Sequence, residues 1–209
     1  MKPSKAARRR QRDRRALVLS SGGIAGVLLL ASLLLWLAPA GPGLNRAEDQ
    51  IGGPFNLVDD GGNPVTDKSF PGKYLLVYFG YTSCRDICPA TLNTLAASLD
   101  RLGRKADLVQ PLFITIDPAH DSAVVLRQYV GAFSRRLVGL TGANTELNKV
   151  ADEYRVVRIA HGSAGNASGV TFDHSSVLYL IAPDGRFIAP IPADASEMVM
   201  AQAIARYVS

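Results

Sequence analysis

Sulfur and imidazole are scarce in this chain: 209 residues hold two cysteines, three methionines and three histidines. Two cysteines cannot build a disulfide framework, and they are too few for a four-thiolate zinc or iron–sulfur site. Basic residues are also missing where a nucleic-acid surface would need them. Eight of the 23 Lys and Arg fall within residues 1–15 (Lys2, Lys5, Arg8, Arg9, Arg10, Arg12, Arg14 and Arg15), against one acid, Asp13. The remaining 15 bases face 17 acids, so the body of the protein is near −2 although the whole chain carries +5. No nucleic-acid partner is expected. With 47% apolar and 20% charged residues, wholesale disorder is excluded and a real core is available.

Charge is absent altogether from residues 16–38, ALVLSSGGIAGVLLLASLLLWLA. Roughly 20 apolar residues cross a bilayer as a helix, so this run reads as one N-terminal transmembrane helix. Trp36 lies near its far end, where an interfacial aromatic belongs. The basic tail 1–15 precedes it, which keeps the N-terminus cytoplasmic and exports the rest of the chain. A cleaved signal peptide ending at Ala38-Pro39-Ala40 is the competing reading, but signal-peptide apolar regions run to only about 7–15 residues. Residues 39–50 are rich in Pro, Gly and polar side chains and read as a linker.

The exported part, 51–209, alternates strand and helix patterns. Residues 55–58 and 64–66 flank an Asp/Gly cluster and form an expected hairpin. Residues 74–81 (YLLVYFGY) and 111–117 (PLFITID) read as buried strands. Leu92, Leu95, Leu99 and Leu102 share one helical face over 89–102, with Pro89 in the first turn. Asp121 is the expected cap of a helix running to 133, with a short strand next at 137–140 and a helix at 146–154. Residues 176–182 and 186–191 pair across Pro183-Asp184-Gly185, and Asp194 with Glu197 opens a last helix as a capping box. Residues 155–173 break the rhythm and read as an inserted loop or loose hairpin. With a Cys pair between the first central strand and the first helix, the layout is thioredoxin-like: an α/β mixed sheet flanked by helices.

The chemistry concentrates at residues 79–89, FGYTSCRDICP. A thiol at a helix N-terminus meets free N–H groups and the positive end of the helix dipole, which lowers its pKa, and Arg85 pushes the same way. Cys84 and Cys88 are four apart, one residue wider than a thioredoxin redox pair. If the stretch is helical, both sulfurs face one ion and still reach each other. Two thiolates suit Cu(I), zinc or iron–sulfur chemistry. His174 stands just before a core strand, whose entering loop passes near the first helix in a thioredoxin-like sheet. Two sulfurs and one imidazole make a three-coordinate set, which favours copper over zinc. Asp173 is placed to orient the imidazole.

FGYTSCRDICP, TIDPAHDS and DHSSVLYLIAPDGRF together resemble the Sco/SenC family over residues 51–209. The resemblance implies a membrane-anchored thioredoxin-like metallochaperone holding one copper ion, Cu(I) or Cu(II), on Cys84, Cys88 and His174. It implies assembly of the CuA centre of cytochrome c oxidase, with the CuA-bearing subunit as partner, in a bacterial-type inner membrane with the domain in the periplasm. The family usually has Pro where this chain has Arg85, which bears on local rigidity and thiol acidity.

Plainer roles fit the other residues. His120 and His161 read as surface residues. Met198 and Met200 read as packing, Asp86 as a cap or partner contact, and Asp117 and Asp121 as a strand end and a cap. The rival function is a thiol–disulfide oxidoreductase that keeps the acceptor's cysteines reduced, with Cys84 attacking and Cys88 resolving. His174 separates the two readings, since disulfide exchange does not need it. A thiol peroxidase would show PxxxTxxC, and Tyr81 and Arg85 stand where its threonine belongs.

Overall fold

A computed structural model describes the backbone of residues 51–161, 171–174 and 177–208, and side chains there apart from 158–161 and 171–174. All belong to one unit, Asp49–Ser209. The expected tail, transmembrane helix and linker lie outside the described residues. Among those described, no helix is long and apolar enough to cross a membrane.

Among the described residues, nine strands and four α-helices alternate as expected. The chain runs β1 (Asn56–Asp59), β2 (Pro64–Thr66), β3 (Tyr74–Gly80), α1 (Ile87–Leu102), β4 (Val109–Thr115), α2 (Ala123–Gly131), β5 (Val138–Thr141) and α3 (Asn144–Glu153). It continues through β6 (Arg158–His161), β7 (Thr171–His174), β8 (Val177–Ile181), β9 (Phe187–Pro192) and α4 (Glu197–Ala205). Seven strands form one sheet in the order β2-β1-β5-β4-β3-β8-β9. β3, β4 and β5 are parallel, while β1, β2, β8 and β9 join antiparallel. β9, at one edge, carries Pro190 and Pro192 opposite Tyr179 and Val177, and β2, at the other, begins with Pro64. This is the thioredoxin-like mixed sheet flanked by helices.

β3 is apolar along its length because both its faces are covered. Leu76 and Tyr78 pack with Leu92, Leu95 and Leu99 of α1, Leu126 and Val130 of α2, and Met200 and Ile204 of α4. Leu75, Val77 and Phe79 point the other way, against Leu147, Val150 and Ala151 of α3. Fully burying such a side chain contributes about 1.5–3 kcal/mol, so this strand is the anchor for whatever leaves its end.

Three local expectations are corrected. α1 starts at Ile87, two residues before Pro89, so Cys88 lies inside it. The cap of α2 is Ser122, whose hydroxyl accepts from the Val125 N–H at 3.4 Å; Asp121 is engaged elsewhere. The cap of α4 is Ser196, accepting from Val199 N–H, in place of an Asp194–Glu197 box. In both helices serine sits one position ahead of the first helical residue, where its short side chain reaches back to the open N–H groups. In the stretch expected as an inserted loop or loose hairpin, the hairpin is the outcome: β6 and β7 pair antiparallel from Arg158↔His174 to His161↔Thr171. Met200 is buried as expected, whereas Met198 is mostly exposed on the first turn of α4.

Candidate metal centre

The chain leaves β3 at Gly80, whose carbonyl accepts from Ile116 N–H at 2.9 Å. Tyr81 is buried, and its carbonyl accepts from Cys84 N–H at 3.2 Å, closing a turn. Asp121 fixes this turn from the far side. Its fully buried carboxylate accepts from Thr82 N–H at 3.0 Å, from the Thr82 hydroxyl, and from the Thr115 hydroxyl at 2.6 Å. Three donors on one carboxylate compensate its desolvation and lock the cysteine loop to the end of β4.

Both cysteines are free thiols, Cys84 partly exposed and Cys88 buried. Cys84 precedes the helix and Cys88 is its second residue, so the shared-helical-face geometry is not the one adopted. The sulfurs meet another way: Cys88 N–H donates to Cys84 Sγ at 3.4 Å. The Asp86 side chain, expected as a cap or partner contact, makes no capping hydrogen bond. Cys84 sulfur thus takes the place of the usual oxygen at the mouth of α1. Below Cys88, the Tyr78 hydroxyl donates to its Sγ at 3.7 Å.

Burial, seconded by the nearby Cys84, pushes the Cys88 thiol up from 9.0 to about 12, against a backbone hydrogen bond from Tyr81. This overturns the expected acidification for that residue: at the first turn of α1, desolvation of the anion outweighs the helix dipole.

His174 ends β7, three residues before β8 begins at Val177. Leu178 pairs antiparallel with Tyr78, so the chain enters β8 at the same end of the sheet from which it leaves β3. That register puts Val177, three residues after His174, at the end of the sheet where β3 gives way to the cysteine segment. The side chains of His174, Asp173 and His161 lie outside the described residues. His120 is exposed and its Nδ1 sits 2.9 Å from the Asp117 carboxylate, which raises the imidazole above its ordinary value through that hydrogen bond and charge.

Two further features border the cysteine pair. The absence of a side chain on Gly80 leaves room for Cys88 Sγ. The Tyr129 hydroxyl is buried with no hydrogen-bond partner among the described residues, and its ionisation is opposed first by burial and then by the charges of Cys88, Cys84 and Asp121. Among the described residues no three His, Cys, Asp or Glu side chains converge on one point. Sequence reading missed Tyr78, Gly80, Tyr129 and the tethering role of Asp121. A hydroxyl and a glycine inside an otherwise apolar strand were the available signals.

Residues 44–209 match the family SCO1/SenC. Protein sco1 of Schizosaccharomyces pombe is 38% identical over 160 residues, 76% of this chain and 61% of that protein. The chain thus spans less than two thirds of that relative. Bradyrhizobium japonicum ScoI, solved with copper bound, superposes with a TM-score of 0.68 at 38% identity, covering 75% of this chain and 99% of that one. Yeast Sco1, also solved with copper bound, gives 0.68 at 38% identity over 76% of this chain and 88% of that one. At 19% identity, over 75% of this chain and 92% of that one, BsSco shares the fold with a TM-score of 0.58 and is described as a member of the Sco family of cytochrome c oxidase assembly proteins. A match over the whole thioredoxin-like domain, with the cysteine pair at its strand–helix junction, makes this chain a member of the SCO1/SenC family.

Proposed function

We propose that this protein is a membrane-anchored copper metallochaperone. It holds one copper ion on Cys84, Cys88 and His174 and passes it to the CuA-bearing subunit of cytochrome c oxidase. The observation that carries the reading is the pair of free thiols joined by the Cys88 N–H···Sγ Cys84 contact at the end of the central strand. Two soft donors held next to each other, one reachable from solvent, suit uptake and release of a thiophilic ion. The copper-bound relatives support the metal, and the entry of β8 beside the exit of β3 supports His174 as third donor. Residues 16–38 anchor the chain, with residues 1–15 cytoplasmic and the domain in the periplasm.

The difference in exposure between the sulfurs supports a second reading, thiol–disulfide exchange. Partly exposed Cys84 would attack and buried Cys88 would resolve. Metal binding separates the readings. The reduced full chain in detergent is loaded with copper beside His174→Ala. About one copper per chain, with thiolate-to-Cu(II) absorption bands lost in the variant, supports the metallochaperone. Equal binding by the variant removes His174 from the site, and no binding leaves the exchange pair. A C-terminal alkaline phosphatase fusion, active only when exported, tests the orientation.

A further inference from the structure

Two tyrosines stand in β3: Tyr74 opens the strand half-buried, and Tyr78 is completely buried at its centre. The Tyr78 ring packs against Phe113 with centroids 6.1 Å apart, a contact that phenylalanine would make equally well. A buried hydroxyl costs free energy unless it finds partners. This one has two: it donates to Cys88 Sγ at 3.7 Å and is hydrogen bonded to the side chain of Thr91, one turn further along α1. The hydroxyl therefore sits on the inner side of the cysteine pair, opposite the solvent face of Cys84. Cys88 sulfur is enclosed by the Tyr78 oxygen, the bare Cα of Gly80 and its own helix.

We infer that Tyr78 is a positioning residue for Cys88: its O–H···S hydrogen bond fixes the direction of that sulfur and sets its strength as a donor, both to a bound copper ion and in the equilibrium between dithiol and disulfide. The copper half of this rests on the metallochaperone reading; the dithiol half does not. A hydrogen bond to sulfur draws electron density from it. It also favours thiol or thiolate over disulfide, whose sulfur is the poorer acceptor. In the exchange equilibrium, oxidation of Cys84 and Cys88 forms one S–S bond and releases two protons and two electrons to glutathione disulfide, which becomes two glutathione thiols.

Tyr78→Phe deletes one oxygen and keeps the ring. In the reduced full chain, two quantities are measured beside wild type: the equilibrium constant for oxidation against glutathione buffers, and the energy of the thiolate-to-Cu(II) band with copper affinity. The variant should favour the disulfide by about five- to tenfold, the worth of one ordinary hydrogen bond. Its copper band should move to lower energy, with the far-ultraviolet circular dichroism and urea midpoint of the apo form showing the fold intact. An oxidation constant equal to wild type overturns the proposal. If wild type takes up no copper, the metallochaperone reading fails, and the oxidation constant still decides for or against Tyr78.

Discussion

Gly80 lies against Cys88: a Cβ added to Gly80 would stand 2.9 Å from Cys88 Sγ and 2.7 Å from the Phe113 ring. Real carbon–sulfur contacts are longer, so the smallest side chain already displaces the thiol or the ring beneath it. Gly80→Ala should destabilise the protein by about 1–3 kcal/mol, as overpacking does. It should also weaken copper binding by displacing Cys88. A urea titration and a copper competition assay on the same sample read both effects.

The buried thiol makes metal binding a proton-releasing event. With Cys88 pushed up to about 12, copper must displace a proton from it throughout the neutral range. Apparent Cu(I) affinity, measured by chelator competition, should rise by about tenfold per pH unit for each proton displaced. An affinity flat in pH would show that Cys88 is already a thiolate.

The same shift affects folding in the absence of metal. Cys88 titrates higher in the folded chain than its ordinary 9.0, so its contribution to stability is intact below that pH and is lost as pH rises through about 12. Denaturation of wild type and Cys88→Ala should diverge above pH 9 and run parallel below it. Parallel curves throughout would contradict the shift.

Asp121 ties the cysteine loop to the end of β4 through Thr82 and Thr115. Asp121→Ala strands those donors in the interior and should cost about 2–4 kcal/mol. Because Thr82 is two residues from Cys84, the freed loop should also expose that thiol. Alkylation of Cys84 by iodoacetamide should accelerate several-fold, and an unchanged rate would confine Asp121 to stability alone.

His120 offers a local test in solution. Its pairing with Asp117 raises its pKa above 6.5, so the pair is intact below that value and is lost as pH climbs through the raised pKa. The imidazole C2 proton followed by NMR should titrate above 6.5 and fall back toward it in Asp117→Asn.

Much of this architecture was legible in the chain. The apolar run of β3 and the leucine spacing of α1 announce themselves because a strand covered on both faces has no polar side to show and a helix repeats every 3.6 residues. Cys84 and Cys88 stand out because thiols are rare here. Capping was less legible: Asp121 and Asp194 are good cap residues by type, yet Ser122 and Ser196 cap, a choice made for the first by tertiary contacts that draw Asp121 to Thr82. The acidity of Cys88 was misjudged for a related reason. Its position near the helix start is visible in sequence, but the depth of the pocket made by Tyr78, Phe113 and Gly80 is not.

The prolines at the two margins of the sheet have a consequence for recognition. Pro190 and Pro192 in β9, and Pro64 opening β2, lack the N–H groups through which another strand would continue the ladder. Both margins therefore resist extension by a foreign peptide and resist self-association into fibrils. Strand addition along the seven-stranded sheet is therefore closed to a visiting protein at both sides.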